Sequence, residues 1–386
     1  MYPFARSWLA AVACLSTGAP VQADEWVLDR TINARVGYND NLNMQVATRE
    51  ASSTLALTPS LTLSDRTERS DISVAFAATA NRYQERPEFN TTDYRATLNL
   101  KSSSELDQRS LTVVSLRDST LASELATTGV VLARRQRTQT TLQASWQRSL
   151  TERLSANTAL SLVSTRFEPT PGLVDFADQT LSAGLRRVVS DSTTVGLTLS
   201  SRDFKTADDS VRSHINAFSI SGQWRYSERL KFTLDAGRDR TQTIQQAKAL
   251  SASSITSGSS FNALAAYDHE SGSTTATLGR SLNASGIGGL LRSDQAALNY
   301  QRRLSDTLDF GFGASAVRSR ALDNPASEVR LNRLSPSLQW KIDPQLTLSG
   351  GYTYLTQIST GQGDPARGNA LFLNLMYGFK PVSASK

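Results

Sequence analysis

Apolar and polar residues alternate singly along most of this chain, which is the two-residue period of a half-buried strand. Leu142, Ala144 and Trp146 fall on one side, with Gln143, Ser145 and Gln147 on the other. Ile72, Val74 and Phe76 oppose Ser73, Ala75 and Ala77, and Phe218, Ile220, Trp224 and Tyr226 oppose Ser219, Ser221, Gln223 and Arg225. One unit recurs about every 38 residues, the scale of an internal repeat. It is an aromatic, a short turn carrying an acid, then an alternating apolar run. It is clearest over 145–162, and returns at Gln223, Asn299 and Gln339, and at Leu185 without the aromatic. The residues bracketing each turn stand four apart: Leu150/Leu154, Val189/Thr193, Tyr226/Leu230, Leu304/Leu308 and Ile342/Leu346. The unit reads as a hairpin with an aromatic at its base.

Eight acid-containing short turns alternate with longer polar segments, among them Asn41–Ser52, Asp118–Ala133, Lys205–Ser213, Thr243–Ser257 and Ser285–Leu291. Eight turns and nine loops join about 18 strands with both ends on the short-turn side, as in an outer-membrane barrel. The count falls to 16 if 109–116 and 259–267 are not strands. The expected fold is therefore all-β: a transmembrane antiparallel up-and-down β-barrel over residues 24–380. It follows a signal peptide over 1–23 and precedes a short disordered C-terminal tail over 381–386. The last strand, 370–379, puts Leu371, Leu373, Leu375, Tyr377 and Phe379 on one face, like the strand that outer-membrane barrels present to their assembly machinery.

Composition agrees. The 386 residues are 39% hydrophobic and 20% charged, with a mean hydropathy of −0.32, and no run approaches the ~20 apolar residues of a spanning helix. Arg6, the apolar run Trp8 to Leu15 and Val21-Gln22-Ala23 make the n-region, h-region and small-residue cleavage site of an export signal. Cys14, the single cysteine, lies inside it. A lipid-modified N-terminus is the competing reading, which Ala11-Val12-Ala13 does not favour. No thiol, zinc or other cofactor chemistry is expected. The formal charge of +6 is spread strand by strand rather than gathered with aromatics, so a nucleic-acid partner is not expected.

Candidate chemistry is thin. The two histidines, His214 and His269, read as solvated residues, and nothing fixes a nucleophile, base and orienting group in mutual reach. No enzyme is expected. The polar face carries a basic set: Arg35, Arg95, Lys101, Arg137, Arg186, Arg202, Arg225, Lys231, Arg303, Arg333 and Lys341, against Asp235, Asp239 and Asp309. Rings of charge set pore selectivity, so this face reads as a lumen tuned for anionic or hydroxyl-rich solutes; solvated wall residues paired to loop acids are the alternative. Trp146, Trp224, Tyr300 and Trp340 all lie near short turns and read as an interfacial aromatic girdle.

The segment Gly37-Tyr38-Asn39-Asp40-Asn41, the Leu57-Thr58-Pro59-Ser60-Leu61 strand and the repeated short hairpins resemble a family of outer-membrane β-barrel porins often encoded with exopolysaccharide biosynthesis and export systems. The resemblance implies a barrel in the outer membrane that helps an extracellular polysaccharide or small polar solutes across. A non-transporting structural or adhesive barrel is the alternative. Expected partners are outer-membrane lipid and lipopolysaccharide, the barrel-assembly machinery and, through the resemblance, polysaccharide export components. The bare reading of Asn39, Asp40 and Asn41 is a strand-end turn.

Overall fold

The computed structural model describes residues 25–120, 134–169, 172–247, 250–322, 327–361 and 363–385. The expected signal peptide, including Cys14, and most of the segment 118–133 lie outside them. Eighteen strands form the wall: Glu25–Asn39 (β1), Ser52–Arg66 (β2), Ser70–Tyr83 (β3), Thr91–Ser103 (β4), Asp107–Ser119 (β5), Gln136–Ser149 (β6), Leu154–Phe167 (β7), Phe176–Ser190 (β8) and Thr193–Thr206 (β9), then Val211–Arg225 (β10), Leu230–Ala247 (β11), Leu250–His269 (β12), Gly272–Ser285 (β13), Gly289–Arg303 (β14), Leu308–Ala321 (β15), Glu328–Lys341 (β16), Leu346–Ser359 (β17) and Ala366–Gly378 (β18). Each pairs antiparallel with its chain neighbours, and β1 pairs with β18 from Thr31↔Gly378 to Asn39↔Ala370, so the sheet closes. Closure removes the two free edges that an open sheet of this length would present.

The short turns behave as one design. Backbone N–H groups of Leu150, Tyr226, Leu304 and Ile342 donate to the carbonyls of Leu154, Leu230, Leu308 and Leu346 at 2.8–3.0 Å. The copy lacking an aromatic, at Leu185, departs from this pattern: its turn tightens to Asp191-Ser192, with a register shift between Val188 and Ser190.

Three expectations need correction. The tail is not disordered: Val382–Ser385 (β19) pairs with Glu25–Leu28. The first strand starts six residues before its pairing with β18 begins, and the tail supplies partners for that overhang. Residues 243–257 are not a loop, because β11 and β12 stay paired up to Ala247↔Leu250. Ser, Thr, Gln and Ala predominate on these rungs, and β10 stays paired to β11 up to Gln245, so apolar alternation could not reveal the ladder. The segment 205–213 likewise shrinks to a four-residue connection, 207–210.

The Gly37–Asn41 segment fastens the closure. Asp40 Oδ1 and Oδ2 accept hydrogen bonds from the Asn369 backbone N–H (2.6 Å) and side-chain amide (2.7 Å) on β18. Asn41 is only 1% exposed. Its amide donates to the carbonyls of Gln45 (2.8 Å) and Arg367 (2.9 Å), and its Oδ1 accepts from the Gln45 N–H (2.9 Å). The segment is therefore a clasp between the first loop and the last strand. Asn41→Ala should strand buried backbone groups and cost about 2–3 kcal/mol, seen as a lower temperature for loss of the folded band in heat-modified electrophoresis.

Candidate functional site: the inner face and its folded hairpin

Strand register sorts every side chain to one of two faces. One carries exposed Leu55, Leu57, Leu61, Phe76, Leu181, Leu199, Ile220 and Leu371. The other carries Ser, Thr, Asn and Gln that bond across neighbouring strands, as in Thr31–Ser60 (2.6 Å), Thr58–Thr79 (2.9 Å), Asn99–Thr112 (3.1 Å) and Ser110–Ser145 (2.7 Å). This second face is the concave one, because side chains on it reach strands that are not their neighbours: Arg202 of β9 donates to the Leu282 carbonyl of β13 at 2.7 Å.

That contact belongs to the main feature of the interior. β12 and β13 are paired only from His269↔Gly272 to Phe261↔Arg280. Beyond Arg280, β13 and β14 remain paired to each other up to Ser285↔Gly289 but leave β12. The freed hairpin folds inward. Leu282, Ala284 and Leu290 pack on a cluster of Phe167, Phe176, Phe204 and Ile215, which lie on the concave face of β7 to β10. Phe204 is 1% exposed, and the Phe176–Phe204 and Phe167–Phe176 rings lie 5.5 and 6.2 Å apart. At the tip, the Val174 N–H donates to the Gly286 carbonyl at 2.9 Å. Gly288 takes a φ of +85°, which favours glycine, and a side chain at Gly286 would collide with Phe167.

Two part-buried ion pairs hold the hairpin's flanks. Arg292 donates to Asp239 of β11 at 2.9 Å while its guanidinium lies over Gly258, where any side chain would collide with it. Arg202 bonds Asp178 through Nε at 2.9 Å as well as the Leu282 carbonyl. Breaking one partner of such a pair leaves an uncompensated buried charge. The hairpin therefore crosses in front of β9–β12, while on the far side the first loop lays Asn41 and Met44 against Gly368 on the inner face of β18.

The eleven basic residues read from sequence divide in two. Arg137, Arg202, Lys231 and Lys341 are paired with Asp118 (2.9 Å), Asp178, Asp268 (3.8 Å) and Asp309 (2.9 Å). Of these acids only Asp309 had been assigned to the polar face by alternation. Arg35, Arg95, Lys101, Arg186, Arg225, Arg303 and Arg333 have no carboxylate in ion-pair range among the described residues. The Arg35 guanidinium stacks 4.3 Å from the Phe372 ring centroid, and that ring covers Gly351. Arg333 Nε donates to Ser335 at 3.0 Å. Lys101, Arg186, Arg225 and Arg303 lie near the short-turn end; Arg35, Arg95 and Arg333 lie mid-wall, on strands that the hairpin does not cover. Asp235 accepts from Ser219 at 3.0 Å. A concavity of about 640 Å³ at the short-turn end is lined by Ser273, Gln301, Arg303, Asp309, Gly311 and Lys341 among others.

The four aromatics share the apolar face. Trp146, Trp224 and Trp340 are 40–49% exposed; Trp146 Nε1 donates to Asp107 at 2.9 Å, Trp224 stacks on Phe232, and Tyr300 sits between His269 and Phe310. His214 lies on the apolar face too. Its Nδ1 is 2.6 Å from Asp203 and its Nε2 is 3.1 Å from Asn216, so the nitrogen that would have to face a hydroxyl nucleophile faces an amide. Among the described residues no group of three or more His, Cys, Asp or Glu could hold a metal.

No family model matches the chain, and no curated protein matches it. Solved structures do match its fold. OccAB2 of Acinetobacter baumannii is 11% identical, with a TM-score of 0.50 over 92% of this chain and 98% of that one. OpdQ of Pseudomonas aeruginosa is 11% identical (TM-score 0.49; 92% and 98% covered), and the alcaligin outer-membrane receptor FauA of Bordetella pertussis is 12% identical (TM-score 0.46; 94% and 77% covered). At such identity the likeness is one of architecture. Whether the hairpin stays docked depends on its packing. Phe204→Ala, at about 3–5 kcal/mol for a buried phenylalanine, should speed amide hydrogen exchange across 282–291 at least tenfold while leaving β1–β6 unchanged.

Proposed function

We propose that this chain is an outer-membrane channel that passes small polar solutes and favours anions. Membrane placement is supported by the apolar face. A closed barrel exposing leucine, valine and phenylalanine around its outside has far more apolar surface than a water-soluble monomer carries, whereas lipid favours it. The short turns then face the periplasm, with Trp146, Trp224, Tyr300 and Trp340 at that interface. Function moves to the opposite face.

The observation that carries the reading is the inward hairpin opposite a basic wall. By docking on β7–β10 it narrows the passage onto the side where Arg35, Arg95 and Arg333 have no carboxylate partner. In a low-dielectric tube, unneutralised charges of one sign raise the local concentration of the opposite ion. The Ser, Thr, Asn and Gln of the same face can hydrogen-bond hydroxyl-rich solutes, which fits sugars and sugar acids. Passage of a longer extracellular polysaccharide, as the family resemblance implies, would use the same wall. The ion pairs at Arg137, Arg202, Lys231 and Lys341 leave selectivity to the remaining bases.

Planar-bilayer recording tests this. Wild type should conduct, with a reversal potential in a potassium chloride gradient displaced toward chloride. Arg35→Glu combined with Arg333→Glu should shift the permeability ratio toward potassium by about threefold or more. Equal permeability in the wild type would refute the anion preference. Absence of any conductance, with the hairpin docked or deleted, would favour a structural barrel.

A further inference from the structure

The apolar face ends, at the long-loop side, in outward-pointing arginines. In several sectors acids neutralise them. Arg280 pairs with Asp294 at 2.5 Å, and Arg318, Arg320 and Arg330 share Glu328 at 2.5–2.7 Å. On β3–β7 they do not. Arg117 lies in register with Tyr94 on one side and Thr138 on the other, and Thr138 in turn with Arg166. Arg117 and Arg166 thus stand two strands apart, about 10 Å, on one face. Arg82 lines the same shallow concavity of about 500 Å³ as Arg117, with Asn90, Thr91, Thr92 and Gln136. The structure gives Arg82, Arg117 and Arg166 no carboxylate partner among the described residues; the Arg82 guanidinium is instead held by the carbonyls of Asn81 (3.0 Å) and Thr91 (3.3 Å).

Beside them lies an exposed apolar platform. Tyr94, in register with Arg117, stacks on Phe76, ring centroids 6.5 Å apart, and Leu57 and Leu61 continue it on β2. Guanidinium groups without acid partners beside an apolar surface at the edge of the membrane band match an amphiphile with a doubly ionised head and acyl chains. A free phosphate would have no use for the platform, and a carboxylate lipid would under-use three cations, whose fork geometry suits phosphate oxygens.

Resting on the outer-membrane reading above, we infer that Arg82, Arg117 and Arg166 form a binding site for the phosphate groups of a phosphorylated glycolipid in the outer leaflet. The lipid lies against the barrel with its chains on Phe76, Tyr94 and Leu57. The site is on the opposite face of the wall from the lumen, so occupancy and conduction can be varied separately.

The test is native mass spectrometry of the full chain in detergent, titrated with diphosphorylated lipid A, with the same lipid after phosphatase treatment, and with inorganic phosphate. The expected result is retention of diphosphorylated lipid A by wild type, at least tenfold weaker retention of the dephosphorylated form, and a similar loss in an Arg82→Gln, Arg117→Gln, Arg166→Gln triple variant. An Arg318→Gln control should retain lipid as wild type does. Equal retention of both lipids, or undiminished retention by a folded triple variant, overturns the site; displacement of the lipid by equimolar inorganic phosphate overturns it in favour of a free-anion site. Membrane placement is read separately, from the density fraction in which the full chain sediments, so a failure of the outer-membrane reading shows there and a failure of the lipid site shows in the titration.

Discussion

Everything in this molecule depends on backbone pairing that closes on itself. In lipid a strand N–H or C=O has no water to turn to, so each edge must find another strand. The ring is sealed where the two chain ends meet, and side chains reinforce this seam at both ends. Asp40 and Asn41 tie the first loop to β18 at one end, and β19 covers the overhang of β1 at the other. Between them Phe379 donates its N–H to the Arg30 carbonyl at 2.9 Å while Arg30 lies over the Phe379 ring. The aromatic that ends the last membrane strand is thereby locked to the first strand rather than left at a free terminus.

Once closure fixes the register, alternation assigns each residue to lipid or lumen, and this is why so much was legible in sequence. Ten or so residues of strict alternation per strand, repeated hairpin turns and aromatics at even spacing each require the same architecture, and the strand count follows. The eleven bases could be placed on the polar face for the same reason. Their partners could not. Asp118, Asp178 and Asp268 lie at strand ends, where apolar neighbours are too few to show which way a carboxylate points, so Arg137, Arg202 and Lys231 looked free when they are paired.

The folded hairpin escaped the sequence reading for a related reason, yet it left a trace. Near the long-loop end of β10 the alternation inverts: His214 and Asn216 occupy outward positions while Ile215 points inward and is buried. Phe167, Phe176 and Phe204 make the same inversion on three neighbouring strands. Single inversions look like noise at a strand end. Four on adjacent strands mean that a patch of lumen wall is dry, and a dry patch inside a water-filled barrel needs a cover. What the pattern could not supply was the cover's identity. Leu282, Ala284 and Leu290 occupy positions that would meet lipid had β13 and β14 stayed beside β12, so the alternation of that hairpin is intact and only its direction changes.

Arginine is used in three ways here, and the face it occupies decides among them. In the hairpin's footing Arg202 and Arg292 are largely shielded from solvent, and each has its own aspartate, since an unpaired guanidinium there would be costly. On the concave face Arg35 and Arg333 have no carboxylate in range among the described residues; a phenylalanine ring and a serine hydroxyl hold their position instead. On the outside, at the edge of the apolar band, a carboxylate is present in some sectors and missing among the described residues in others, the one around Arg117 included. A residue that is constitutively charged will be neutralised wherever the surroundings are dry. Under the two proposals made above, the arginines without acids are the ones whose charge a mobile ion or a head group completes.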